Sequence, residues 1–166
     1  MTEASHKRLI IDLEKCDHCD SCGVSCDYYP HPHAENHGML GLRERATFAL
    51  VCRQCLYASC IIACPFDAIE RQDDGIIMRY NLRCVSCKLC AHACPFGTIY
   101  PEMLQFYEAH CDHCLGRNEE APPCVASCSQ GALEYRAIDP GEADIHIVDE
   151  FLAARTLAWV KEEVTT

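Results

Sequence analysis

Sixteen cysteines in a chain of 166 residues are the part of this sequence most able to do chemistry, and they fall into four groups of four. They stand at 16, 19, 22 and 26, at 52, 55, 60 and 64, at 84, 87, 90 and 94, and at 111, 114, 124 and 128. The first and third groups read C-x2-C-x2-C-x3-C, the second C-x2-C-x4-C-x3-C and the fourth C-x2-C-x9-C-x3-C. Proline follows the last cysteine in the second and third groups, as Cys64-Pro65 and Cys94-Pro95, whereas Asp27 follows Cys26 and Ser129 follows Cys128. Thiolates at such density and regularity are metal ligands rather than a disulfide framework.

The spacing selects the metal. Three cysteines within seven residues let one tight loop cover three corners of an iron–sulfur cube, with backbone amides facing the sulfides. The fourth sulfur lies at the start of a short helix leading to the next cube. The C-x2-C-x2-C-x3-C-P run is the general rule for bacterial two-cluster ferredoxins, and there its fourth cysteine ligates the other cluster. Four such quartets supply ligands for four [4Fe–4S] clusters. Structural zinc is the competing reading and prefers two separated C-x2-C knuckles about one tetrahedral ion. It fits the fourth group better than the others, so a zinc-stapled interaction module stays as an alternative.

The elements that must position these thiols are small. Hydrophobic residues make up 49% of the chain, but much of that is cysteine and alanine and only 8% is aromatic, so a large apolar core is not expected. Lys and Arg total 14 against 25 Asp and Glu, a formal charge of -11, which gives no support to nucleic-acid binding. Residues 1–12, MTEASHKRLIID, lack a signal-type apolar core, and the expected location is cytoplasmic. No apolar run approaches the roughly 20 residues of a membrane span, so no membrane insertion is expected. Arg8 to Asp12 and Leu133 to Arg136 are β-prone runs able to pair, and Ala68 to Tyr80 reads as a hairpin with an Asp74-Gly75 turn. Residues 27–51, rich in His and Pro, read as a long irregular connection. Val148, Phe151, Leu152 and Trp159 recur at helical spacing and predict an amphipathic helix from Val148 to Val164.

The four groups in this order resemble the four-cluster, ferredoxin-type electron-transfer subunits of molybdenum and tungsten oxidoreductases. DLEKCDHCDSCGVSC, CRQCLYASCIIACPFDAI, CVSCKLCAHACPFGTI and CDHCLGRNEEAPPCVASCSQGAL carry the likeness, from about Leu9 to Arg136. The resemblance implies that the first group shares its clusters with the fourth and the second with the third. One cluster would then take Cys16, Cys19, Cys22 and Cys128, and another Cys111, Cys114, Cys124 and Cys26. The inner pair would take Cys52, Cys55, Cys60 and Cys94, and Cys84, Cys87, Cys90 and Cys64. The implied fold is α+β, with two nested bacterial-ferredoxin-like modules of short β-hairpins and short helices around iron–sulfur clusters, plus a C-terminal helix. Residues 1–26 and 105–140 would form the outer module, 45–104 the inserted inner one, 27–44 the long connection and 141–166 the C-terminal amphipathic helix. The chain most resembles the small iron–sulfur subunits beside tungsten enzymes of the aldehyde oxidoreductase family. That likeness implies a hetero-oligomer with a tungsten- or molybdenum-pterin catalytic subunit, and a flavin- or NAD-linked subunit or a ferredoxin as second redox partner. An iron–sulfur subunit of a hydrogenase or formate dehydrogenase complex is the alternative.

The remaining candidates are blander. His18 and His113 lie in repeated CDHC loops and His92 between Cys90 and Cys94, where a cluster-flanking role without ligation is expected. His31, His33 and His37 sit together in the long connection, the ordinary setting of solvated residues. There is no G-x-G-x-x-G after a strand, no phosphate-binding loop and no triad in context. Because every cysteine is assigned, no iron is left open to a substrate, and no catalytic residue is expected. Four oxidised clusters in place of neutral thiols would bring the chain to about -19. Backbone amides and the cations Arg53, Arg83 and Lys88 are the expected compensation.

Overall fold

The computed structural model describes residues 7–20, 22–26, 38–104, 106, 111, 114, 121–139 and 141–156. Along the chain they form strand β1 (Arg8–Asp12), helices α1 (Leu13–Asp17), α2 (Met39–Leu50) and α3 (Ser59–Ile62), and strands β2 (Ile69–Arg71) and β3 (Ile77–Arg79). Helix α4 (Leu89–Ala93), a 3-10 turn (Pro101–Met103), helix α5 (Pro123–Ser127) and strands β4 (Leu133–Arg136), β5 (Ile145–Ile147) and β6 (Leu152–Arg155) follow. Two units divide the chain, one made of Met1–Tyr29 with Asp112–Thr166 and the other of Pro30–Cys111.

In the first unit a four-stranded sheet runs in the order β4-β1-β6-β5. The expected pairing of the two ends of the cysteine region is present, antiparallel, with Ile10 opposite Glu134 and Ile11 opposite Leu133. β1 is central, so its apolar run is continuous rather than alternating, and Leu9, Ile10 and Ile11 are all buried. Asp12 ends the strand and caps α1, its Oδ1 accepting the Lys15 N–H at 3.0 Å. One face of the sheet is roofed by charge. Arg136 donates to Glu142 through both terminal nitrogens, at 2.8 and 2.6 Å, and Arg155 pairs with Glu134 at 2.7 Å and Asp144 at 3.1 Å. Ile10, Ile145 and Ala153 form a small core cluster in the same sheet.

The C-terminal helix expected over 141–166 is corrected here. Residues 152–155 form β6, parallel to β1, with Ala153 beside Ile10 and Ala154 beside Ile11. Alanine favours helix in isolation, but Ala153 and Ala154 are fully buried and their small side chains fit a strand between two others. Asp149 turns the chain into the strand, its Oδ1 accepting the N–H groups of Phe151 and Leu152 at 2.7 and 2.8 Å. Trp159 and Val164 lie outside the described residues.

In the second unit β2 and β3 form the expected hairpin, Ile69 facing Arg79 and Arg71 facing Ile77. Its turn is one residue earlier than the sequence suggests. Gly75 N–H donates to the Gln72 carbonyl at 2.9 Å, so Asp73 and Asp74 are the central pair and Gly75, at φ 88°, is the left-handed residue that follows. The core joins Phe48, Ala58, Cys60, Ile69, Ile77, Cys90, Ile99 and Leu104. The connection expected over 27–44 is also corrected, because α2 begins at Met39. Its buried positions include Glu44 and Thr47, and Glu44 is matched by Arg79 of β3, which brings the helix into the unit. Residues 27–37 lie outside the described residues.

Candidate metal centres

Two pockets lie in the second unit, and each is lined by four cysteines. Cys52, Cys55, Cys60 and Cys94 line one, with Arg53, Phe96 and Thr98. Cys64, Cys84, Cys87 and Cys90 line the other, with Phe66, Lys88 and Leu104. Each pocket thus draws three thiols from one group and the last thiol of the other. α3 carries Cys60 and α4 carries Cys90, and both are buried against the unit's apolar core.

Local backbone geometry aims donors at the sulfurs, and it does so twice. Gln54 N–H donates to Cys52 Sγ and Ser86 N–H to Cys84 Sγ, each at 3.4 Å and each two residues after the first cysteine of its group. Gln54 and Ser86 both take positive φ, 48° and 56°. The last cysteine of a group is met four residues on. Ala68 N–H donates to Cys64 Sγ at 3.3 Å, Ala132 N–H to Cys128 Sγ at 3.3 Å, and Thr98 Oγ1 lies 3.4 Å from Cys94 Sγ. One residue earlier, Asp67, Gly97 and Gly131 all lie in the left-handed region, at φ 47°, 63° and 58°. Successive N–H groups turned to one side by such residues form an anion-binding concavity.

Burial sets the thiols apart. It pushes Cys90 up to about 11, with Cys84, Cys64 and Cys60 nearby adding to the rise. It also raises Cys52 and Cys60. At Cys94 burial likewise acts upward but is outweighed by the Thr98 hydroxyl and by the N–H groups of Thr98, Phe96 and Gly97, so this thiol lies below its ordinary value. Metal binding must therefore displace protons from Cys52, Cys60 and Cys90 more than from Cys94.

The first unit places the outer cysteines, except Cys111 of the second unit, on and around its short helices. Cys16 is in α1, Cys124 in α5, and Cys128 ends α5 as Cys94 ends α4, so these fourth cysteines close a short helix rather than start one as the spacing suggests. Cys19 and Cys26 are half-buried and Cys22 is exposed. The first and fourth groups are tied by Ser25 N–H donating to Ser127 Oγ at 2.8 Å and Lys15 Nζ donating to the Gly131 carbonyl at 3.3 Å. Cys114 is half-buried at φ 54°. Cys111 is half-buried too, and its backbone lies 3.4 Å from where a side chain on Gly38 would begin.

Among the histidines, His18 places Nδ1 2.7 Å from the Glu14 carbonyl of its own helix, and His92 is exposed on α4. His31, His33, His37 and His113 lie outside the described residues. Of the cations expected beside the clusters, Arg53 and Lys88 do line the pockets, Arg53 also lying 6.0 Å from the centre of the Phe96 ring. Arg83 is instead paired with Glu70 at 2.6 Å and stacked on Tyr80. Sequence reasoning missed Thr98, Ala68 and Ala132, which share the register PFDAI, PFGTI and SQGAL after the last cysteine. Aligning those three segments would have found them.

The donor sets fit iron–sulfur clusters: four soft thiols surround each inner pocket, and amide and hydroxyl groups already approach the sulfurs. Among the described residues, no three His, Cys, Asp or Glu side chains converge as a single-ion site requires.

Known proteins point the same way. The 4Fe-4S dicluster domain matches residues 43–138. A putative electron transport protein of Escherichia coli, YsaA, is 35% identical over 146 residues, covering 79% of this chain and 90% of its own. An uncharacterized ferredoxin of Methanocaldococcus jannaschii is 32% identical over 130 residues, covering 77% of this chain and 71% of its own. The thiosulfate reductase electron transfer subunit PhsB of Salmonella typhi is 27% identical over 148 residues, covering 81% and 77%. With its sixteen cysteines, this is an iron–sulfur protein of the ferredoxin kind, and it belongs to the 4Fe-4S dicluster domain family. Among the described residues, no helix is long and apolar enough to cross a membrane.

Proposed function

We propose that this chain is the electron-transfer subunit of an oxidoreductase complex and has no catalytic residue of its own. Its ligand sets are Cys16, Cys19, Cys22 and Cys128; Cys111, Cys114, Cys124 and Cys26; Cys52, Cys55, Cys60 and Cys94; and Cys84, Cys87, Cys90 and Cys64. The crosswise lining of the two inner pockets carries this reading, because it is the exchange of fourth ligands that two adjacent clusters need. When bound, the clusters supply centres that accept and pass on one electron at a time. The chain's own residues hold them by sixteen thiolates, direct N–H groups and the Thr98 hydroxyl at the sulfurs, and place Arg53 and Lys88 at the pockets. Ligation by cysteine alone leaves a substrate no iron to bind, so the chemistry belongs to another subunit.

That subunit is a tungsten- or molybdenum-pterin enzyme of the aldehyde oxidoreductase type, in a cytoplasmic hetero-oligomer. A flavin- or NAD-linked subunit or a ferredoxin stands at the other end. Two relatives that are named for electron transport or electron transfer support the division of labour. Exposed Leu56, Tyr57, Ile62 and Leu82 in the second unit suit a chain that works in contact with other proteins. The test is purification from the native host with metal analysis. About sixteen irons with equivalent acid-labile sulfide per chain, and a co-purifying subunit containing tungsten or molybdenum, are expected. Four zincs and no sulfide would overturn the reading, and a molybdenum- and tungsten-free partner would overturn the choice of complex.

A further inference from the structure

Arg71, sixteen residues beyond Cys55 and on the hairpin rather than in any cysteine group, is the side chain that grips the second group's loop. Its guanidinium donates to the Gln54 carbonyl at 3.3 Å, to the Gly75 carbonyl at 3.1 Å and to the Cys55 carbonyl. One planar fork therefore fixes two consecutive carbonyls of the loop and ties them to the hairpin turn. In a trans peptide the carbonyl and the following N–H point in opposite directions. With the carbonyls of Gln54 and Cys55 held toward Arg71, the N–H groups of Cys55 and Leu56 are turned away from it. The preceding amide, Gln54 N–H, already donates to Cys52 Sγ.

We propose that Arg71 is a positioning residue for the centre held by Cys52, Cys55, Cys60 and Cys94, turning the loop's amides toward it and adding a positive charge at its edge. This rests on the ligand sets proposed above. The counterpart loop is tethered by different means, Ser86 Oγ donating to the Leu104 carbonyl. Arg71 thus acts on one inner centre and not on the other.

Holoprotein of the wild type, Arg71→Gln and Arg71→Lys would be titrated with dithionite under electron paramagnetic resonance, and iron release to a chelator followed in parallel. In Arg71→Gln one of the four centres shifts to a more negative potential while three stay in place, and one quarter of the iron leaves roughly tenfold faster, the factor that losing one charge-assisted hydrogen bond represents. Arg71→Lys keeps the charge without the fork, so its potential returns toward the wild-type value while the fast release persists. Four unshifted potentials in iron-replete Arg71→Gln, or a common shift of all four, would overturn this role alone. Wild-type protein without iron and sulfide would overturn the ligand assignment as well.

Discussion

Arg79 closes on Glu44 inside the second unit, its Nε donating to Oε1 and Oε2 at 2.8 and 3.0 Å and its Nη2 to Oε2 at 2.6 Å. The Arg79 side chain is fully buried and that of Glu44 is 7% exposed. The pair pins α2 to β3, and neither charge has water to fall back on. Arg79→Met or Glu44→Gln alone is expected to cost about 3–5 kcal/mol, because each leaves a buried charge unmatched. Combining Arg79→Met with Glu44→Leu is expected to restore most of that loss. Urea unfolding of the holoprotein, followed by cluster absorbance and by far-UV circular dichroism, provides the measurement.

Cluster removal is expected to unfold the chain. Cys60 and Cys90 are members of the second unit's apolar core, so releasing their metal leaves the core with unanchored loops. Chelation of iron under oxidising conditions should abolish near-UV and most far-UV circular dichroism in one cooperative step. Retention of the native far-UV spectrum by iron-free chain would contradict this.

The left-handed positions three residues after the last cysteine give a paired test. Gly97→Ala, at φ 63°, is expected to cost about 1 kcal/mol, whereas Asp67→Gly, at φ 47°, should be neutral or stabilising by a few tenths. No described atom outside the adjoining residues lies within 4 Å of a Cβ placed on Gly97, so the cost there is conformational rather than steric. Thermal midpoints of the two variants against wild type decide it.

Glu142 should give the sheet a pH-dependent stability. The Arg136 guanidinium, helped by the Asp139 N–H, holds its carboxyl down to about 2. A folded value below the ordinary 4.5 means that the stabilisation is complete above that pH and is lost as the pH falls toward 2. The stability difference between wild type and Glu142→Gln should therefore be constant from neutral pH to about 5 and shrink below 4.5. Rapid pH-jump unfolding, faster than acid loss of sulfide, reads that difference.

The grouping of the eight inner cysteines about two pockets was legible because ligand spacing is a one-dimensional signal. The β-prone runs Arg8–Asp12 and Leu133–Arg136 and the hairpin after Ala68 come from local pattern, and the described strands agree. β6 was not legible. Phe151, Leu152 and the two alanines after them fit a helical period, and only the sheet position beside Ile10 and Ile11, far away in sequence, makes them a strand. α2 was hidden for the opposite reason. Gly41 and the buried polar residues Glu44 and Thr47 break its apolar face, and Glu44 belongs there only because Arg79 meets it. Arg71 escaped notice because no spacing rule links a hairpin arginine to a cysteine loop before it.

The position of β1 in its sheet bears on biosynthesis. It leaves the ribosome well before both of its neighbours, β4 and β6, which lie more than a hundred residues further along the chain. Every residue lining the two inner pockets lies between Cys52 and Leu104, so that half is fully translated while β1 still waits for its flanking strands. Cofactor-delivery machinery can thus load the middle of a nascent polypeptide before the ends have joined, which would make maturation a vectorial, two-stage event.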